Sequence, residues 1–231
     1  MMPELAVLYD AQAGNWLRFT DLQEVIEIHE PDKVLASLQL IERRVEEEGL
    51  FAAGFVSYEA ASAFDDALQT HPPGEFPLLR FALFAATERI ELPSPVGQPE
   101  LAAWQSQENA ADFSRKVDEI RAAIARGETY QVNLTFPLTS AFSQDPWSFF
   151  LHLAHGQQAS GAGYLQAGRW AICSVSPELF FTKDGEHLRM RPMKGTAARG
   201  RTPAEDLLQA DNLTKSAKNR AENIMILDMV R

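Results

Sequence analysis

The stretch Leu179-Phe-Phe-Thr-Lys-Asp-Gly-Glu-His-Leu-Arg-Met-Arg191 carries the clearest fold signal in this chain. Leu179–Thr182 and His187–Arg191 read as strands, and Asp184-Gly185 between them is a strong hairpin-turn dipeptide. The return strand runs directly into Pro192-Met-Lys-Gly-Thr-Ala-Ala-Arg-Gly-Arg201. From Leu188 to Arg201 there are five cations, Arg189, Arg191, Lys194, Arg199 and Arg201, and no acid. The chain around them is acidic, with 21 Lys and Arg against 32 Asp and Glu and a net charge of −11. A local basic island in an acidic chain suits a small anionic ligand, and the overall balance argues against nucleic acid as a partner. Crowding Lys194 among cations also disfavours its charged form, which favours the free amine that a nucleophile needs. The plainer alternative is a solvated charged hairpin and loop.

Outward from this segment, composition sets bounds. At 231 residues the chain is long enough for one large or two small domains with a sizeable core. Hydrophobic residues at 45% and charged residues at 23% describe an ordinary soluble globular protein. A single cysteine, Cys173, excludes an internal disulfide and fits a reducing cytosol. The first residues lack the basic and apolar regions of a signal peptide, and no run approaches the roughly 20 apolar residues of a membrane span. The expected setting is therefore cytoplasmic, without a membrane partner.

Asp32–Glu48 is predicted to be an amphipathic helix, with Val34, Leu38, Ile41 and Val45 on one face and Gly49 as its stop. Leu50–Tyr58 and Leu78–Ala86 read as strands. Glu91-Leu-Pro-Ser-Pro-Val-Gly-Gln-Pro-Glu100 is the best linker candidate. We expect an N-terminal subdomain over 1–95, a linker over 96–110, and a second unit over 111–231. In that unit, Ala111–Arg126 has helical periodicity and Gly127 stops it. Tyr130, Val132, Leu134 and Phe136 alternate with Gln131, Asn133 and Thr135, which predicts a strand. Asp145-Pro146 begins a short helix through His152, and Trp170–Val175 is a further strand. Pro203–Leu208 and the segment from Thr214 onward read as helices. The chain stops at Arg231 inside an apolar pattern, the expected mark of a cut through a continuing fold.

Four motifs stand in order: Gly127-Glu-Thr-Tyr-Gln-Val-Asn133, Ser176-Pro-Glu-Leu-Phe180, Arg191-Pro-Met-Lys-Gly-Thr196 and Lys218-Asn-Arg-Ala-Glu-Asn-Ile-Met-Ile-Leu-Asp228. Together they resemble the chorismate-utilising enzymes, most closely from about Ala111 to Arg231. The resemblance also reaches Ala53-Gly-Phe-Val-Ser-Tyr-Glu-Ala60. It implies an α+β fold, two packed β-sheets with surrounding helices, incomplete at the C-terminus. Within the family, isochorismate and salicylate synthases have a lysine where this chain has Gln131, so water addition to the ring is disfavoured. Anthranilate synthases typically have an alanine where this chain has Lys194. Aminodeoxychorismate synthases typically have a lysine there, and the resemblance points to that branch.

The resemblance then implies roles. Glu178 is the general acid that protonates the departing C4 hydroxyl of chorismate, and burial must hold it protonated at neutral pH. Lys194 is the nucleophile that attacks C2. Gly195, Thr196 and Gln131 contact substrate. Glu222 is a ligand for Mg2+. A separate glutaminase subunit supplies ammonia. Other readings stand beside these. Glu178 on its own reads as a cap or ion-pair residue, Glu222 as a surface carboxylate paired with Lys218, and Gln131 as a strand neighbour's partner. Tyr58 and Glu59 fit a tryptophan-binding regulatory pocket or a plain strand end. His152 and His155 read as ordinary helix residues, and Cys173 as core packing. The competing functions are anthranilate synthase component I, and a catalytically incomplete fragment that acts only as a binding or docking module.

Overall fold

A computed structural model describes residues 4–99 and 101–230, which leaves Glu100 of the expected linker and the terminal Arg231 outside the described residues. In chain order the elements are β1 (Leu5–Asp10), β2 (Asn15–Ile28), α1 (Pro31–Glu48), β3 (Phe51–Val56), β4 (Leu79–Ile90), β5 (Gln105–Ser106), α2 (Ala110–Ala125), β6 (Leu138–Thr139), α3 (Pro146–Gln157), β7 (Gly161–Ala167), β8 (Trp170–Ser176), β9 (Leu179–Asp184), β10 (His187–Arg191), α4 (Pro203–Lys215) and α5 (Ala217–Val230). The mixed α+β class follows directly. The chain divides into two compact units, one formed by residues up to Pro95 with those from Phe150 onward, the other by Val96–Phe149.

The larger unit is built on a six-stranded antiparallel sheet in the order β3-β4-β2-β1-β7-β8. Strands from either side of the second unit thus share one sheet. β4 shows why the sheet is covered on both faces. Its Leu79, Phe81 and Leu83 point to one cluster, with Val34 and Ile41 of α1, while Ala82 and Phe84 point to another, with Ala6 and Ala53. Val34, Leu78, Leu79 and Leu83 have no exposed surface. Burying each such side chain stabilises the fold by roughly 1.5–3 kcal/mol. α1 has Pro31 in its first turn and ends at Gly49 with φ 68°, as its sequence predicts.

An ion-pair network lies on the sheet face that carries Ala82 and Phe84. Arg80 of β4 pairs with both Glu4 and Glu27, and Glu4 Oε1 accepts the Gly168 amide at 3.2 Å. Arg80 and Glu4 side chains are only 13% and 10% exposed, so the buried guanidinium is matched by carboxylates. Tyr58 and Glu59 begin a 3₁₀ turn, Tyr58–Ala63, and Tyr58 is exposed.

In the smaller unit, Asn109 caps α2 by accepting the Asp112 amide at 2.9 Å. The predicted strand at Tyr130–Phe136 does not form. Phe136 meets Phe113 of α2 edge to face at 5.9 Å, but residues 130–137 join no ladder. The nearest pairing is two residues long, Gln105–Ser106 with Leu138–Thr139. Alternation records two faces, but a strand also needs a partner backbone for its N–H and C=O groups.

Two strands at the start, β1 and β2, and β7 were not anticipated by local pattern. β2 carries charge at Arg18, Asp21, Glu24 and Glu27, and a register irregularity between Leu22 and Glu24, which break its alternation. Among the described residues there is one large sheet and two two-stranded ones. No helix among them is long and apolar enough to cross a membrane.

Candidate functional site

The β9–β10 hairpin pairs Asp184 with His187 across a two-residue turn whose Gly185 has φ 56°. Its open end pairs Leu179 with Arg191. One residue further out on the first strand is Glu178, and just beyond the second lie Pro192 and Met193. The hairpin therefore closes 16 residues of sequence and brings Glu178 beside the segment that carries Lys194. The Met193 amide donates to Glu178 Oε1 at 3.4 Å. Ser176 fixes the other side of Glu178: its hydroxyl donates to the Glu178 carbonyl at 3.2 Å and accepts the Glu178 amide at 3.2 Å.

A cleft of about 350 Å³ opens here, lined by Ser176, Glu178, Leu179, Phe180, Met190 and Pro192 from the hairpin and by Ile226 and Val230 from α5. Glu222, Ile226 and Val230 are spaced by four residues, so they share one helical face, and all three are half-buried while their neighbours are exposed. Asn219, one turn earlier on that side, packs against Gly195. A Cβ at Gly195 would lie 3.1–3.2 Å from Asn219 and Leu213, and Gly195 has φ +84°. One helix face thus touches the Lys194-Gly195 segment at one end and the Glu178 cleft at the other. Lys194 is half-buried and Thr196 is exposed.

Burial is expected around Glu178, whereas the structure has it exposed. The basic island, itself free of acid, is met by acids from the next helix. Arg199 donates through Nε and Nη2 to Asp206 at 2.7 and 2.5 Å, and the Gly200 amide donates to the same carboxylate at 2.8 Å. The Arg201 amide donates to Glu205 at 2.8 Å, and Thr202 caps α4 by accepting the Glu205 amide at 3.2 Å. The Asp206 carboxyl is held below its ordinary range, chiefly by the Arg199 hydrogen bonds and next by the Gly200 amide. Arg199 is correspondingly raised by Asp206. The clue was in the sequence: Thr202-Pro203 places a helix start where Glu205 and Asp206 fall in its first turn, facing the loop that precedes it.

Glu222 Oε1 lies 3.8 Å from Lys218 Nζ, the helical pair expected from spacing. Among the described residues no group of three or more His, Cys, Asp or Glu is placed to hold a metal ion. Glu222 is one carboxylate, and magnesium takes near-octahedral oxygen coordination, so these residues do not by themselves form its site. Gln131 belongs to the smaller unit, where its Oε1 is buried without a hydrogen-bond partner and its carbonyl accepts Thr129 Oγ1 at 3.1 Å. His152 and His155 lie within α3, where His155 Nδ1 contacts the Leu151 carbonyl at 2.9 Å. Cys173 is half-buried on β8.

Comparison with known proteins bears on this arrangement. The family model described as chorismate binding enzyme matches residues 84–231, more than half the chain. The aminodeoxychorismate synthase component 1 of Escherichia coli (strain K12) is 38% identical over 128 residues, covering 55% of this chain and 28% of that protein. Its counterpart in Salmonella typhimurium is 36% identical over 130 residues, covering 56% and 29%. The anthranilate synthase component 1 of Thermus thermophilus is 33% identical over 186 residues, covering 77% of this chain and 40% of that protein. The chain thus spans well under half the length of these relatives. The matched region contains the hairpin, the Lys194 loop and α5, and by that match the chain belongs to the chorismate binding enzyme family.

Proposed function

We propose that this protein converts chorismate to 4-amino-4-deoxychorismate, with ammonia delivered by a glutaminase subunit. The observation that carries the reading is the hydrogen bond from the Met193 amide to Glu178 Oε1, which sets a carboxyl group beside the residue preceding Lys194 at the mouth of a cleft. In this reading Lys194 attacks C2 of the ring as Glu178 gives a proton to the C4 hydroxyl, which leaves as water. Ammonia then bonds to C4 and the lysine amine departs from C2, so two allylic displacements replace one. Glu178 must be desolvated to act as an acid at neutral pH, and a substrate filling the cleft would exclude water from it. Gly195 and Thr196 would contact the substrate. Glu222 would supply one carboxylate ligand to a magnesium ion. The two Escherichia and Salmonella relatives, by name, support the aminodeoxychorismate branch and a partner component.

Anthranilate synthesis is the second reading, favoured by the Thermus relative, which aligns with more of this chain than the other two. Lys194 argues against it, since that branch typically has an alanine there. Incubation with chorismate, magnesium and ammonium, followed by product analysis and intact mass, separates the readings. The expected result is 4-amino-4-deoxychorismate with a mass adduct at Lys194. Anthranilate as product would transfer the protein to the second reading. Binding of chorismate without turnover would reduce the chain to a binding or docking module.

A further inference from the structure

The loop from Pro192 to Arg201 has no regular secondary structure, yet it is held at both ends against α4 and α5. At one end Gly195 sits against Asn219 and Leu213. At the other, Gly200 lies so close to α4 that a Cβ would be 2.2 Å from the Asp206 amide nitrogen and 2.5 Å from the Glu205 carbonyl carbon. Only glycine permits that approach. Asp206 then gathers three donors from the loop, two from Arg199 and one from Gly200, while its own backbone amide donates to the Thr202 carbonyl at 2.9 Å in the first turn of α4. The Arg199 side chain is 88% exposed and that of Asp206 is 29% exposed. A pair so open to water adds little to global stability. Its two-point geometry, however, fixes where the loop leaves the helix.

We infer that Asp206, through Arg199 and Gly200, is a positioning residue that sets the placement of Lys194 from the far side of its loop. The inference rests on the reading of Lys194 as the nucleophile. Four residues separate Lys194 from Arg199, and the Gly195 contact is the other fixed point, so the reactive segment is strung between two anchors. Releasing one anchor lets the amine move relative to Glu178, and a shift of about 1 Å at a reacting group can lower the rate on the order of 100-fold.

The test is to label the full chain with acetic anhydride and quantify acetylation at each lysine by peptide mass spectrometry, in parallel with steady-state kinetics on chorismate. Lys183 and Lys215 lie outside the loop and serve as references. Arg199→Ala, Arg199→Lys, Asp206→Asn and the Arg199→Ala/Asp206→Asn pair are compared. Loosening of the anchor should change Lys194 labelling by about threefold or more relative to the references, as local opening does. It should also lower kcat by about tenfold or more while KM moves less, because orientation and not binding is lost. Arg199→Lys, which keeps the charge but loses the fork, should behave like Arg199→Ala, and the double variant should be no worse than either single. Should Asp206→Asn fail to fold, the exposed Arg199 variants decide alone. Unchanged Lys194 labelling in folded Arg199 variants would overturn the inference, as would changed labelling with unchanged kcat, or additive losses in the double variant. If the wild-type chain labels as expected but never turns over chorismate, the proposed function fails while the labelling still decides whether Asp206 anchors the loop.

Discussion

α1 and α5 are comparable helices, 18 and 14 residues long, and they are used in opposite ways. α1 buries Val34 and Ile41 completely or nearly so against a six-stranded sheet, beside Leu79 and Leu83. α5 buries no described residue, and Ile224, Leu227 and Met229 are each more than half exposed. The half-buried side chains it does present touch Gly195 and the Glu178 cleft. The difference separates the apolar core from the candidate site within one unit. The sheet and α1 hold the fold by apolar burial, whereas the candidate site is assembled at the periphery by a hairpin, glycine contacts and hydrogen bonds. Substitutions on the two sides should therefore fail in different ways.

The largest expected effect is at Lys194. Lys194→Ala should lower formation of aminodeoxychorismate by on the order of 1000-fold or more and abolish the adduct, as removal of a covalent nucleophile does. Its melting temperature should stay near that of the unaltered chain, and a normal rate would end the proposed role. Leu83→Ala is the mirror case. It empties a fully buried position and should destabilise the fold by about 2–5 kcal/mol in denaturant titrations. A loss much smaller than that would mean that the sheet is not where stability resides. Gly195→Ala lies between the two. A side chain at φ +84° carries local strain of about 1–3 kcal/mol and presses on Asn219 and Leu213. Turnover should suffer more than the melting temperature.

The smallest effect concerns protonation. The folded-state carboxyl of Asp206 is depressed, so its contribution is present above the unfolded value and is lost as pH falls through the folded one. An NMR titration of the Asp206 carboxyl carbon should show a midpoint below the ordinary aspartate value, shifting upward in Arg199→Ala because the largest cause of the depression has gone. An unshifted midpoint in both proteins would remove the anchor from the comparison.

Much of this arrangement is legible in the amino-acid sequence where the cause is local. The periodicity of α1, its Gly49 stop, the Asp184-Gly185 turn and the length of β10 all depend on residues within a few positions of each other, and the structure has them as expected. The misses depend on distant partners. Tyr130–Phe136 alternates as a strand should, yet nothing among the described residues pairs with it. β1 and β2 form an antiparallel pair inside a large sheet despite the charges on β2, because the neighbouring strands decide. At the site, the hairpin made the approach of Glu178 to the Lys194 segment legible. The exposure of Glu178 was not, because solvent access depends on what surrounds the cleft. The acids that meet the basic island come from a helix whose start was visible in Thr202-Pro203, but whose orientation was not.

The exposed Arg199–Asp206 contact has a consequence for the medium in which the protein works. Charge attraction across open water is screened over about 10 Å at 0.1 M ionic strength and about 3 Å at 1 M, whereas the apolar contacts of α1 are not weakened that way. Electrolyte concentration thus acts on the loop that carries Lys194 and passes over the core, so under the proposed function turnover should respond to ionic strength well below any level that would unfold the chain.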